Sequence, residues 1–178
     1  MLKKVLVVLL IFVAALVVVV ALQPSEFRIA RSATIAAPAP PLFQQVNDFH
    51  NWQHWSPWEG RDPAMKRAFE GAPAGAGAVY RWDGNKEVGT GSMTITESRP
   101  SELVRIRLEF LKPFRATSTA EFTFKPQGDG TAVTWSMTGH NNLMAKALHL
   151  FLNMDKMVGD DFERGLAQMK QIAEARGK

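Results

Sequence analysis

Between Met65 and His140 apolar and polar residues alternate over one strand-length run after another, and a single amphipathic stretch at helical spacing follows. Few architectures accept that order. In "ELVRIRLEFLKPF", Val104, Ile106, Leu108 and Phe110 fall on one side, and Arg105, Arg107 and Glu109 on the other. That period of two marks a strand with one buried and one wet face. "TSTAEFTFKP" turns Ala120, Phe122 and Phe124 inward, and "GDGTAVTWSMTGH", turning on Asp129-Gly130, does so with Val133, Trp135 and Met137. "GAGAVYRWDGNKEVGTGSMTITESRP" reads as a hairpin about the Asp83-Gly84 pair, and "AMKRAFEG" as a weaker strand before it. Upstream, Phe27, Ile29, Arg31, Ala33 and Ile35 alternate in the same way. "LFQQVNDF" then places Leu42, Phe43, Val46 and Phe49 on one face of a short helix, with Pro41 in its first turn, where proline is tolerated. At the end, Phe151, Met154, Val158, Phe162, Gly165, Met169 and Ile172 recur at steps of three and four. The spacing predicts a helix from about Leu143, a break or kink near Gly159, and a final helix to about Ala175.

The implied class is α+β: a curved antiparallel sheet of six to seven strands wrapped around one long C-terminal helix, with two short helices after the first strand. One helix does not fill the concavity of so broad a sheet. The remaining volume is either packed core or a cavity between sheet and helix, and an apolar cavity is the default binding site. The residues expected to line it are Trp52, Trp55, Trp82, Met93, Phe110, Phe122, Trp135, Met154, Val158, Phe162 and Met169. Taken one at a time, each is also an ordinary core residue.

The first part of the chain is of another kind. Lys3 and Lys4 precede an unbroken apolar run, Val5 to Leu22. About 18 apolar residues are enough to cross a bilayer as a helix, whereas a cleaved signal has a shorter apolar region and a small-residue cleavage site. "Val19-Val20-Ala21" is a poor cleavage site, so residues 1–24 read as an uncleaved transmembrane anchor with its linker, and residues 25–178 as a single ligand-binding domain. The two lysines favour a cytoplasmic N-terminus. The expected location is therefore a bacterial-type inner membrane, crossed once, with the domain on the periplasmic side. The chain has no cysteine, which excludes disulfides and thiol chemistry. Its net charge of +4 falls to +2 without Lys3 and Lys4, and no Lys/Arg cluster offers a nucleic-acid footprint.

The densest aromatic segment is "HNWQHWSPWEG", His50 to Gly60. His50 and His54 have the spacing of two ligands in a zinc helix, but Asn51 stands where such a motif has Glu and no third ligand is specified. No metal or cofactor is expected. Ser56 precedes a proline and is not in a nucleophile elbow. Acid–base chemistry needs a positioned ionisable group inside the cavity, and Glu70, Tyr80, Glu87 and Glu97 are the nearby candidates, each read as lying on a wet face or strand edge. No catalytic residue is assigned, and binding is favoured over catalysis. Trp52 and Trp55 read either as packing of the helix-to-sheet junction or as the rim of the cavity.

The stretches "ATIAAPAPPLFQQVNDFHNWQHWSPW", "EVGTGSMTITESRP", "TAVTWSMTGH" and "MDKMVGDDFERGLAQMK" together resemble the START-like, helix-grip superfamily. Within it the chain is similar, from about Phe27 to Ala175, to the bacterial SRPBCC branch labelled polyketide cyclase/dehydrase and lipid transport. The resemblance implies a deep hydrophobic cavity for a lipid, a polyketide or another apolar molecule, and implies little about reaction. The expected function is membrane-tethered binding of a hydrophobic small molecule or lipid. The alternatives are a polyketide cyclase/dehydrase-like enzyme and an envelope structural protein without a ligand.

Overall fold

The computed structural model describes residues 2–150 and 152–175. Within them the order is α1 (Leu2–Leu22), β1 (Glu26–Ile35), α2 (Ala39–Asn47), a 3-10 helix (Phe49–His54), then β2 (Lys66–Gly71) and β3 (Ala78–Asp83). β4 (Thr90–Arg99), β5 (Leu103–Lys112), β6 (Ala116–Gln127), β7 (Gly130–His140), α3 (Leu143–His149) and α4 (Met154–Ala175) complete it. The seven strands form one antiparallel sheet in the order β1-β7-β6-β5-β4-β3-β2. β2 to β7 follow one another as a meander, while β1 pairs with β7 along Glu26 to Ile35. The two short helices carry the chain from one edge of the sheet to the other. This is the α+β, helix-grip arrangement, and the period-two pattern explains it: inward positions such as Val104, Ile106, Phe122 and Val133 are fully buried.

The helix does not lie centrally on the sheet. α4 packs chiefly on β1 and to a smaller extent on β7, and α2 covers parts of β5 and β6. The inner face of β3 to β6 is left without a helix over much of its length, and residues 52–65 fold across it instead.

Three local expectations are corrected. The β3–β4 connection is a six-residue loop, Gly84 to Gly89, and not a tight turn at Asp83-Gly84. Its form comes from side chains: Asn85 Oδ1 accepts from the backbone of Glu87 and Val88, and Asp62 Oδ2 accepts from Asn85 N at 2.7 Å. The β6–β7 hairpin turns on Gly128 and Asp129, one residue earlier than expected, with Gly128 at φ +61°. The C-terminal helix is interrupted before Met154 and runs unbroken through Gly159. Gly159 is instead a close-approach site, because a Cβ there would stand 2.0 Å from Arg31 Nη2. The Arg31 guanidinium lies across it and bonds Asp155 (3.0 Å) and Glu163 (2.8 Å), one helical turn to either side. Phe151, part of the apolar stripe, lies outside the described residues.

A contrast between two glycines tests this packing. At Gly159 the obstacle is the end of a flexible arginine, so G159A trades exposed ion pairs, worth about 0–1 kcal/mol, against about 1 kcal/mol of helix propensity. Its stability should change little. At Gly165 a Cβ would meet the Trp135 ring, fixed in the core, at 2.8 Å and the half-buried Pro57 Cδ at 3.1 Å. G165A should destabilise by about 1–3 kcal/mol, read as a lower thermal midpoint by near-ultraviolet circular dichroism. Equal effects at both positions would contradict the assignment.

Candidate functional site

The aromatic segment is held from below by α2. Trp52 Nε1 donates to Val46 O at 3.0 Å and Trp55 Nε1 to Gln45 O at 2.9 Å, using carbonyls near the end of α2. Buried indole N–H groups normally find such partners. Their rings lie 4.7 Å apart and meet Phe122 and Trp135 edge-on. Trp135 is itself stacked between Phe122 (centroids 4.7 Å apart, 28°) and Phe162 of α4 (4.1 Å, 11°). This continuous aromatic mass fills one side of the concavity.

The other side is not filled. A cavity of about 200 Å³ lies between the inner face of β3 to β7 and the first half of α4, bordered by the 52–65 segment and the 84–89 loop. Seven of the eleven residues expected at such a cavity line it: Trp52, Trp82, Met93, Phe110, Trp135, Val158 and Phe162. Trp55, Phe122 and Met169 are fully buried in the core beside it. Met154 lies elsewhere, in an open groove of about 600 Å³ between the start of β1 and the α3–α4 connection. Trp58, Leu108, Ala120, Met137, Met65 and Val88 complete the apolar wall.

The polar part of the wall is what sequence reasoning missed. Tyr80 is 4% exposed and lines the cavity, correcting its placement on a wet face or edge. Its hydroxyl donates to Glu59 Oε1 at 2.6 Å, while Arg67 Nε donates to Glu59 Oε2 at 2.7 Å. Burial first, and then the hydrogen bond and charge of Glu59, push the Tyr80 hydroxyl well above the ordinary tyrosine range. The same carboxylate holds the Arg67 guanidinium firmly charged. Asp161 of α4 also lines the cavity, with Arg61 and Arg164 both bonded to its Oδ1. Glu87 reaches the wall from the loop and is exposed, whereas Glu70 and Glu97 do not line it. In the sequence, only the run "SPWEG" after the two predicted tryptophans hinted that Glu59 turns inward.

His50, His54 and His140 do not line the cavity. His50 is exposed, bonded to Asp48 Oδ1 at 2.8 Å and stacked on Phe69. Among the described residues no cluster of three or more His, Cys, Asp or Glu side chains could hold a metal ion.

The family model described as polyketide cyclase / dehydrase and lipid transport matches residues 26–174. No curated protein matches the chain. A structural-genomics protein from Chromobacterium violaceum superposes with a TM-score of 0.58 at 14% identity, covering 85% of this chain and 99% of its own. The Aha1 dimer protein of Colwellia psychrerythraea gives 0.61 at 13%, covering 83% and 96%. The di-domain ARO/CYC protein StfQ of the steffimycin biosynthetic pathway gives 0.63 at 12%, covering 86% of this chain and 52% of its own. At these identities the likeness is one of fold.

Tyr80 is the only tyrosine, so tyrosinate absorbance during alkaline titration reads it alone. Its folded-state pKa is raised, so its contribution to stability is intact below about pH 10 and is lost as pH rises above that, because the unfolded chain ionises first. The native protein should show no tyrosinate near pH 10, and the denatured protein should show half of its signal there. A native transition near pH 10 would mean that the hydroxyl faces solvent and does not bond Glu59.

Proposed function

The chain belongs to the polyketide cyclase / dehydrase and lipid transport family, and from that premise we propose that it is a membrane-tethered module that binds a compact hydrophobic molecule beside α4. The observation that carries this reading is the cavity itself: a space of about 200 Å³ walled mainly by buried aromatic and aliphatic side chains. Trp52, Trp82, Met93, Phe110, Trp135, Val158 and Phe162 make the contacts, while Trp55, Phe122 and Met169 hold those rings in place. Pockets for drug-sized ligands span about 300–1,000 Å³, so the occupant is small.

The tether is α1. It is an apolar helix of 21 residues, none of them buried, and is long and apolar enough to cross a membrane. In this reading residues 1–24 anchor the chain in a bacterial-type inner membrane, Lys3 and Lys4 stay in the cytoplasm, and residues 25–178 work in the periplasm. An apolar ligand partitions into the bilayer, and a cavity held beside it needs only a short transfer.

A second reading, chemistry of the cyclase or dehydrase kind, is favoured by one observation: the Glu59–Tyr80 pair and Asp161 are ionisable groups in the cavity wall. Glu59 is bonded through both oxygens, which suits a positioning role better than proton abstraction. The unfilled space speaks against a domain without a ligand.

Native mass spectrometry of the full-length protein in lipid nanodiscs should find a small apolar molecule bound, or uptake of an added one. Ala120, 6% exposed in the wall, is where A120L would occupy that space. The variant should fold and lose uptake by about tenfold or more, since overpacking costs about 1–3 kcal/mol. A wild-type protein that stays empty against a panel of apolar compounds would sink the reading. For the tether, the full-length chain should sediment with membranes and resist extraction by salt, and release into the soluble periplasm would mean cleavage.

A further inference from the structure

With α1 in a bilayer, a short linker fixes which end of the domain faces the membrane. Only residues 23–25 separate α1 from β1, about 10 Å of chain at full extension. They are tied down: Asn141 N donates to Ser25 O at 2.8 Å, and Asn141 Nδ2 to Pro24 O at 3.3 Å. Next to them α3 packs on the end of α1, where the buried Lys146 donates through Nζ to Ala21 O at 3.3 Å. A cation there complements the negative end of the α1 dipole. Glu26 pairs with His140, so the end of β7 and the start of α3 lie beside the linker. The register carries this edge across the sheet. Gly139 faces Ser118 and Ala116 faces Phe110, which puts the β5–β6 hairpin at the same end.

The exposed apolar surface gathers there too. Outside α1, eight large apolar side chains are exposed among the described residues, and all but Phe69 on β2 and Met157 on α4 lie at this end. Leu111 and Phe114 (59% exposed) belong to the hairpin tip; Leu143 (67% exposed), Met144, Leu148 and Leu152 belong to α3 and its connection to α4. A contiguous apolar surface of this kind marks an interaction site. From Ser118, level with Phe27, the hairpin runs four residues on to Phe114, about 13 Å in the direction of the end of α1. Lys112 and Arg115 flank the Phe114 ring in sequence, both exposed and neither in an ion pair among the described residues. An apolar tip between basic side chains suits an anionic phospholipid surface: the ring enters the headgroup–acyl boundary while the charges reach the phosphates.

We propose that this end of the domain docks on the leaflet from which α1 emerges, with the β5–β6 tip and α3 entering the interface of an anionic phospholipid bilayer. Anchor, helix and hairpin then give three points of contact, which hold the domain in one orientation. This rests on the tether reading and adds a second, non-spanning membrane contact to it. The cavity is affected as well. Met137 and Phe110, both in its wall, stand three and two residues from the ends of β7 and β5 at this edge. Docking therefore keeps the cavity against the leaflet, where a free linker would let it swing away.

The chain has no cysteine, so a single introduced thiol reports a single position. F114C, M144C and D129C, all at exposed sites, are labelled with an environment-sensitive fluorophore. Each is reconstituted full length into vesicles of phosphatidylethanolamine and phosphatidylglycerol. Asp129 is the control, in the β6–β7 turn at the opposite end of the sheet, about 30 Å away along β7. Lipids spin-labelled near the headgroup should quench the labels at 114 and 144 at least about twofold, because interfacial segments sink about 5–10 Å, and should leave 129 unchanged. Adding K112E/R115E to F114C should reduce its quenching about twofold or more, since each basic side chain draws the tip to anionic lipid. If the protein floats with the vesicles but either site is quenched no more than 129, the proposal fails and the tether stands. Shielding of 114 and 144 from iodide without quenching by lipid means that a second copy of the chain covers this end, which also overturns it. Unchanged quenching in K112E/R115E overturns the choice of an anionic surface. If the wild-type chain does not float with the vesicles, tether and proposal fail together.

Discussion

Trp135 joins the two layers of the domain. One face of its indole lies on Phe122 of β6 and the other on Phe162 of α4, and its far edge occupies the space that Gly165 leaves by having no side chain. Stacked pairs of this kind contribute about 0.5–1.5 kcal/mol each beyond the area they bury, and here two such pairs share one ring. The consequence is positional: α4 is pinned at the β1–β7 side of the sheet, where Arg31 clamps its first turns through Asp155 and Glu163. A helix held there leaves the inner face of β3 to β6 to α2 and the 52–65 segment, and the cavity follows from that offset.

The period-two strands and the helical stripe were legible because each is a local pattern that burial merely confirms. Local grammar failed where side chains contacted distant backbone. Asp83-Gly84 has the chemistry of a two-residue turn, yet Asp62, more than twenty residues away, accepts from Asn85 N and draws the loop out over the cavity. Gly159 reads as a helix breaker because glycine weakens helices by about 1 kcal/mol. What it provides instead is room for Arg31, a residue 128 positions earlier. Neither partner leaves any trace at the position that depends on it.

The same division runs through the site. Six apolar lining residues follow from alternation and helical spacing, since the inward face of a strand is the inward face wherever the strand sits, whereas Trp52 belongs to neither pattern. The polar lining follows from neither. Tyr80 alternates correctly with Trp82 on β3, but a tyrosine beside charged neighbours reads equally well as an edge residue. Only its bond to Glu59, from a loop 21 residues upstream, shows that it is inside. Asp161 reads as an N-terminal helix charge until Arg61, a hundred residues away, is seen on it. Burying a carboxylate requires such a partner, and partner identity is a property of the fold.

These pairings also decide what kind of space the cavity is. Carboxylates without partners would make it a cation site or would bind protons to neutralise themselves. With Arg67, Arg61 and Arg164 supplied from the outer side, Glu59 and Asp161 are fixed in place while the interior keeps an apolar character. The arginines do not enter the lining, so they contribute no donors to it. The ring that fixes α4 is also part of that wall: Trp135, stacked on Phe122 and Phe162, determines where the cavity lies and supplies one of its faces.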